Sequence, residues 1–228
     1  MQAKQPKTAS LVATLATDDH LPHLQGMGRR ERRAAETRLR LFRCALQLFA
    51  ERGFWNVTIE DITEAADVGK GTFFNYFDSK GHVLSVMAEI QIGRVREALA
   101  QAETANQPVR LVLQQLFQRL AKEPGRSADL ARTLISSFLA SEEVRLIVGE
   151  NMAKGRHIVA RILELGKQNG EIDPRLKCDY LALLLQESVL GTILLWSLRG
   201  EPQLKTAMAR SFQHFWRAIA APGVKERR

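Results

Sequence analysis

The chain has 228 residues, of which 45% are hydrophobic and 25% charged, with a formal net charge of +8. That apolar content excludes a wholly disordered chain, and the length suits one large or two small domains. Two cysteines, Cys44 and Cys178, with no CxxC spacing exclude a disulfide framework, while the basic excess favours polyanionic partners.

Taken in order, residues 1–28 show no sustained period and read as a mobile tail. The apolar piece Leu11–Ala16 is too short and Thr-broken for a signal sequence, so a cytoplasmic chain is expected. Arg29-Arg30-Glu31-Arg32-Arg33 leads into the first predicted helix, and residues 29–43 hold seven Arg against Glu31 and Glu36. Beside a DNA-reading motif such a run follows phosphates or enters a minor groove; it suits a solvated helix start equally well. Residues 81–228 hold 21 basic and 15 acidic residues, so basicity is spread along the chain and is weak evidence alone. The helix continues to Arg52 with Leu41, Ala45, Leu48 and Phe49 inward, and Gly53 ends it. Cys44 lies within it and reads as a small buried apolar residue.

The stretch Val57–Lys80 carries the strongest signal. Thr58 is placed to cap a helix, with Asp61 three residues on to reach back to the cap N–H, and Val57 with Ile62 forms a hydrophobic staple. Ile59, Ile62 and Ala66 share one face. Asp67 stops the helix where a sharp turn needs a left-handed backbone, which Asp tolerates. Val68 is expected buried in the turn. Gly69 caps a second helix over Lys70–Phe77. Phe73 and Phe77, four apart, can pack on the first helix, leaving Lys70, Gly71, Phe74 and Asn75 outside. A major groove suits such a face: Lys meets guanine acceptors, Asn pairs with adenine, an aromatic touches a thymine methyl. The arrangement is a helix-turn-helix.

On these residues, RCALQLFAERGFWNVTIEDITEAADVGKGTFFNYFDSKGHVL resembles the N-terminal DNA-binding module of the TetR/AcrR family of bacterial transcription regulators. The resemblance covers about residues 37–84. It implies that Lys70, Gly71 and Phe74 read bases, that Thr58, Thr72, Asn75, Tyr76 and Lys80 hold phosphates, and that Phe73 and Phe77 pack the core. Asp67 stands where the family usually has Gly, and Asp78 where it often has Pro.

After Lys80 the pattern stays helical. Asp78 or Ser79 caps a helix to about Thr104. Pro108 starts another, broken by Glu123-Pro124-Gly125. Ser127–Ala140 and Glu142–Gln168 follow. Pro174 opens a long helix to Leu198, and the last ends near Ala220. The 19 residues Tyr180–Leu198 are apolar nearly all round. They are long enough to span a bilayer, but Gln186, Glu187 and Ser188 sit in the middle, and a central charge costs ~2.5–3.5 kcal/mol there. The other solution is burial on every side. One face packs on its own domain and one on a second subunit, with the stripe Leu204, Met208, Phe212, Phe215 and Ile219 of the last helix completing a four-helix interface. The family's dimerisation through its last two helices implies the same. Leu181, Leu185, Val189, Leu204, Met208, Phe212 and Phe215 are the expected interface residues, and closure of a monomer core is the competing reading.

No catalytic or metal-binding spacing is present: no HExxH, GxSxG, Walker loop or GxGxxG after a strand. The sequence therefore reads as an all-α DNA-binding regulator that is not an enzyme and needs no cofactor or metal. Residues 29–82 are its helix-turn-helix domain and 83–228 its effector-binding and dimerisation domain. The expected partners are a double-stranded DNA operator, a second copy and a small apolar or amphipathic effector. Residues such as Phe117, Phe138, Met152 and Trp196 line a pocket or form plain core, and the effector site stays unassigned. The resemblance implies a repressor. A helical enzyme or scaffold is the rival class.

Overall fold

Helix formation begins at Arg29 in this computed structural model, which describes residues 28–104, 107–122, 124–200 and 203–222. The expected tail at 1–28 lies almost entirely outside the described residues. Among these the fold is all-α: nine α-helices, three short 3-10 turns and one isolated antiparallel bridge, Ile172 with Ala220. The chain divides into two compact units. One comprises residues up to Met87 with Thr133–Arg145; the other comprises Ala88–Arg132 and the chain from Leu146 onward. Thr133–Arg145, expected in the C-terminal domain, thus groups with the N-terminal unit.

In the first unit, α1 spans Arg29–Arg52 and buries Leu41, Phe42, Ala45, Leu46, Leu48 and Phe49. Gly53, at φ 80°, ends it with its N–H on Phe49 O at 2.9 Å. A left-handed residue there is cheap for glycine alone. A 3-10 turn, Phe54–Asn56, leads to α2 (Ile59–Ala65) and α3 (Lys70–Phe74). Helices this short do not persist alone, so packing must hold them. Phe49 meets Phe54 at 5.0 Å and Phe73 meets Phe77 at 5.6 Å between ring centroids. Each fully buried Phe contributes about 1.5–3 kcal/mol of hydrophobic stabilisation.

The capping box forms as its residue types dictate. Thr58 Oγ1 accepts the Asp61 N–H at 3.1 Å, and the Asp61 carboxylate accepts the Thr58 N–H at 2.8 Å. The Thr58 N–H and hydroxyl hold the Asp61 carboxyl below the usual carboxylate range. Asp67 alone among the described non-glycine residues has positive φ, 50°. A β-branched side chain is strained in that backbone, so Asp67→Val should cost about 1–2 kcal/mol. An unchanged urea midpoint would contradict it. Ala66 is the buried residue of this turn; Val68, expected there, is only half-buried.

The second helix of the motif is shorter than expected, ending at Phe74 rather than Phe77. The backbone tightens here: the Tyr76 N–H reaches Phe73 O at 3.0 Å, an i→i−3 bond. That turn still brings Phe77 inward beside Phe73. Ser79 accepts the His82 N–H at 2.9 Å, as a cap should, but the turn it opens, Gly81–Leu84, is 3-10. The regular helix α4 runs from Ser85 to Thr104. The tightening coincides with close packing: a Cβ on Gly81 would stand 2.6 Å from the Glu143 carboxylate, which also accepts the Ser79 hydroxyl.

The remaining helices are α5 (Val109–Leu120), α6 (Ala128–Ala140), α7 (Glu142–Gln168), α8 (Cys178–Arg199) and α9 (Leu204–Ile219). In the second unit α9 packs against α8 and α5. Phe117 lies 5.2 Å from Phe212 and 6.0 Å from Phe215. The start of α8 is corrected from Pro174 to Cys178. The Asp173 carboxylate takes the Arg175 N–H at 3.0 Å and its guanidinium at 2.6 Å, and Leu176 N–H bonds Asp173 O, closing a turn before the helix. Arg175 holds the Asp173 carboxyl down to about 2. Cys178 is buried, and burial first, then Glu164, raises its thiol to about 12. A thiol so rarely ionised is unsuited to a redox switch.

The expected interface residues lie on the inner side of α8 and α9 within the single chain: Leu181, Leu185, Val189, Leu204, Met208, Phe212 and Phe215 are all buried there. The exposed apolar side chains of α8 are Tyr180, Leu183, Leu184, Leu194, Leu195 and Leu198. A helix apolar all round offers two faces, and sequence periodicity does not say which one its own domain takes. By length and apolarity α8 is the one described helix able to cross a bilayer.

Candidate nucleic-acid interface

The site is built on α2 and α3. Phe73 and Phe77 are buried, so the opposite side of α3 turns outward: Lys70, Gly71, Phe74 and Asn75 are all exposed, Phe74 to 48%. Gly69 caps the helix. Nothing lies within 4 Å of where a Cβ on Gly71 would sit, which leaves a shallow place on this face for a base edge or backbone. Lys70 pairs with Glu60 across the turn, and that hydrogen bond lowers the Glu60 carboxyl below its usual range. Both side chains are mostly exposed. Pairs this exposed are weak and screened by solvent, so Lys70 can exchange Glu60 for a base acceptor or phosphate at little cost.

The residues that resemblance assigns to phosphates divide. Thr72 and Tyr76 are half-buried and Asn75 exposed on α3 and its final turn. Thr58 keeps its hydroxyl and N–H in the capping box. Lys80 turns inward. Its Nζ donates to Phe54 O and Val57 O, each at 2.7 Å, and lies 4.6 Å from the Phe54 ring centroid. Burial lowers its ammonium pKa. Lys80 therefore ties the end of the motif to the connection between α1 and α2. Lys80→Ala would leave two carbonyls without their donor and should lower stability by about 1–3 kcal/mol. A thermal melt identical to wild type, with only DNA affinity reduced, would instead give Lys80 a purely phosphate-binding role. Sequence reasoning missed this tie, because its partners lie 26 and 23 residues away.

The second unit carries a solvent-open cleft of about 790 Å³ with a charged lining that includes Glu103, His157, Arg161, Glu164, Lys167 and Lys177. Of the residues expected at an apolar pocket, Phe117 and Trp196 are buried elsewhere, and Phe138 and Met152 are half-buried. Among the described residues the buried Trp196 indole N–H has no hydrogen-bond partner.

Residues 41–87 match the model of the bacterial regulatory proteins of the tetR family. The HTH-type transcriptional regulator TcmR of Streptomyces glaucescens is 45% identical over 58 residues, 25% of this chain and 26% of that one. The fatty acid metabolism regulator protein of Bacillus subtilis is 24% identical over 177 residues, covering 76% of this chain and 90% of that one. The solved structure of FadR from Thermus thermophilus, a transcriptional repressor in complex with lauroyl-CoA, superposes with a TM-score of 0.58 at 25% identity, over 78% of this chain and 92% of that one. The reading face thus lies on a segment that matches the tetR-family model, and the helical fold is shared with a repressor of that family over most of the chain.

Proposed function

We propose that the chain is a cytoplasmic, dimeric, sequence-specific repressor, released from a palindromic operator by a small amphipathic effector. One observation carries the reading. The five-residue α3 spends its aromatics on both sides, Phe73 and Phe77 on the core and Phe74 outward beside Lys70 and Gly71. Burial alone would not need the outer set. In this reading Lys70, Gly71 and Phe74 read bases, and Thr58, Thr72, Asn75 and Tyr76 position the helix on phosphates. Lys80 acts mainly by holding the motif together. Dimerisation uses the outer face of α8, centred on Leu194, Leu195 and Leu198. It sets two recognition helices about one DNA turn apart, ~34–36 Å or somewhat more.

The effector class follows from the relatives, one named for fatty acid metabolism and one bound to lauroyl-CoA. The unpartnered Trp196 indole N–H adds a polar group awaiting an acceptor inside an apolar unit. Chain order supplies the coupling: α4 starts five residues beyond Lys80 and continues to Thr104 in the second unit. If effector weakens DNA binding by some factor, DNA weakens effector binding equally, and couplings of ~1–3 kcal/mol are usual.

Selection from random duplexes tests the reading. Wild type should return one palindromic site. Lys70→Ala and Phe74→Ala should relax preference at single positions, each by about 1–3 kcal/mol, with little change in the melt. Lauroyl-CoA should weaken binding to the selected duplex. The same site with unchanged discrimination from both variants would overturn the base assignments, and affinity indifferent to acyl-CoA would remove that effector class.

A further inference from the structure

We propose that the N-terminal half of α1 is a second DNA-contacting element, an arginine arm that grips the phosphate backbone flanking the operator; it rests on the DNA-binding reading above. Residues 29–40 form three helical turns, about 18 Å long, ahead of Leu41, the first fully buried residue. They carry six arginines against two glutamates. Arg29, Arg32, Arg33 and Arg40 are exposed and recur at i, i+3, i+4 and i+11. That spacing lines them along one side, turned away from the stripe of Leu41, Ala45 and Leu48 that packs the core.

Packing does not explain why the start of this segment, Arg29–Arg33, is helical, because all five of those residues are exposed. It is held by local chemistry: Arg, Ala and Glu are strong helix formers, and the Glu31 carboxylate accepts the Gly28 N–H at 3.1 Å. The charges oppose that order. Four arginines in the first five positions stand at the positive end of the helix dipole, where cations are disfavoured. Arg29 also repels Arg32 and Arg33 at helical spacing. Among the described residues no carboxylate pairs with Arg29, Arg30, Arg32 or Arg33, and Glu31 is occupied at the cap. A polyanion relieves both penalties at once. The arm is also seated on the reading motif: the Arg38 guanidinium lies 5.5 Å over the ring of Phe77, the residue that closes the turn after α3. A local sequence conflict left in place next to a ligand surface is the pattern expected of a functional element.

The test uses the full chain and the duplex that wild type selects from random sequence. The duplex is made in two lengths, site alone and site with roughly one helical turn added at each end. In R29A/R30A/R32A/R33A the alanines keep the helix and remove the charge. The expected result is a slope of log affinity against log salt shallower by about 3–4, at ~0.9 per lost phosphate contact. The variant should also lose the preference for the longer duplex and keep its base preference. R29K/R30K/R32K/R33K should retain the wild-type slope. An alanine variant with the wild-type slope and flank preference would overturn the arm and leave the helix-turn-helix reading standing. Wild type that binds no duplex would overturn both. Wild-type binding to phosphatidylserine vesicles, lost in the alanine variant while DNA slopes agree, would reassign the arm to a membrane surface.

Discussion

Phe212→Arg is expected to unfold the second unit, whereas Leu195→Arg should leave it folded and monomeric. Phe212 is 2% exposed, with Phe117 at 5.2 Å and Trp216 stacked at 6.2 Å. Losing the ring alone costs about 3–5 kcal/mol, and an unpaired buried guanidinium adds several more. Together these approach the roughly 5–15 kcal/mol that holds a whole domain. Leu195 is 58% exposed and Leu198 65%, so a charge there meets water in the isolated chain. In a two-fold dimer through that face the same charge is buried twice. Sedimentation velocity with near-ultraviolet circular dichroism separates the outcomes. A Leu195→Arg dimer at micromolar concentration would move the interface off this face; a folded Phe212→Arg would contradict the packing.

Phe73→Ala should abolish DNA binding by dissolving the motif itself. Phe73 is wholly buried, and its ring neighbours are Phe74 at 5.5 Å and Phe77 at 5.6 Å. Truncation should cost about 3–5 kcal/mol. Because α3 has only five residues, that packing is what keeps it helical. Phe74→Ala is the control: its ring is 48% exposed, stability should move by only about 0.5 kcal/mol, and base preference should change instead. Specific binding retained by Phe73→Ala would mean the reading face does not depend on this core.

The parts of the motif legible in the sequence are those set by neighbours a few residues apart. Thr58 and Asp61 form their cap because three residues separate them, and Asp67 takes the left-handed backbone that its position before Val68 and Gly69 requires. The inward Phe73 and Phe77 followed from their spacing of four. Four features depended on distant chain. The tightening after Phe74 coincides with close packing against Glu143, far along the chain. The inward turn of Lys80 depends on carbonyls at Phe54 and Val57. Thr133–Arg145 joins the first unit from far along the sequence. On α8, two apolar faces of similar strength left the inner one unidentifiable until α9 and α5 were in place.

The short bridge near the chain's end has a consequence for synthesis. Asp173 donates its N–H to Ile219 O and Ala221 to Glu171 O, each at 2.9 Å, while the Glu171 carboxylate accepts the N–H groups of Val109 and Arg110 at the start of α5. Three segments, at residues 109–110, 171–173 and 219–221, thus meet at one point. The nascent chain releases α5 and the turn before α8 early, but their fastening arrives only once Ile219 and Ala221 have been made. Until then the second unit holds an open apolar seat for α9, so a stop codon placed ahead of Leu204 should yield a product that chaperones retain and proteases remove, even though every residue of the DNA-reading motif has already been made.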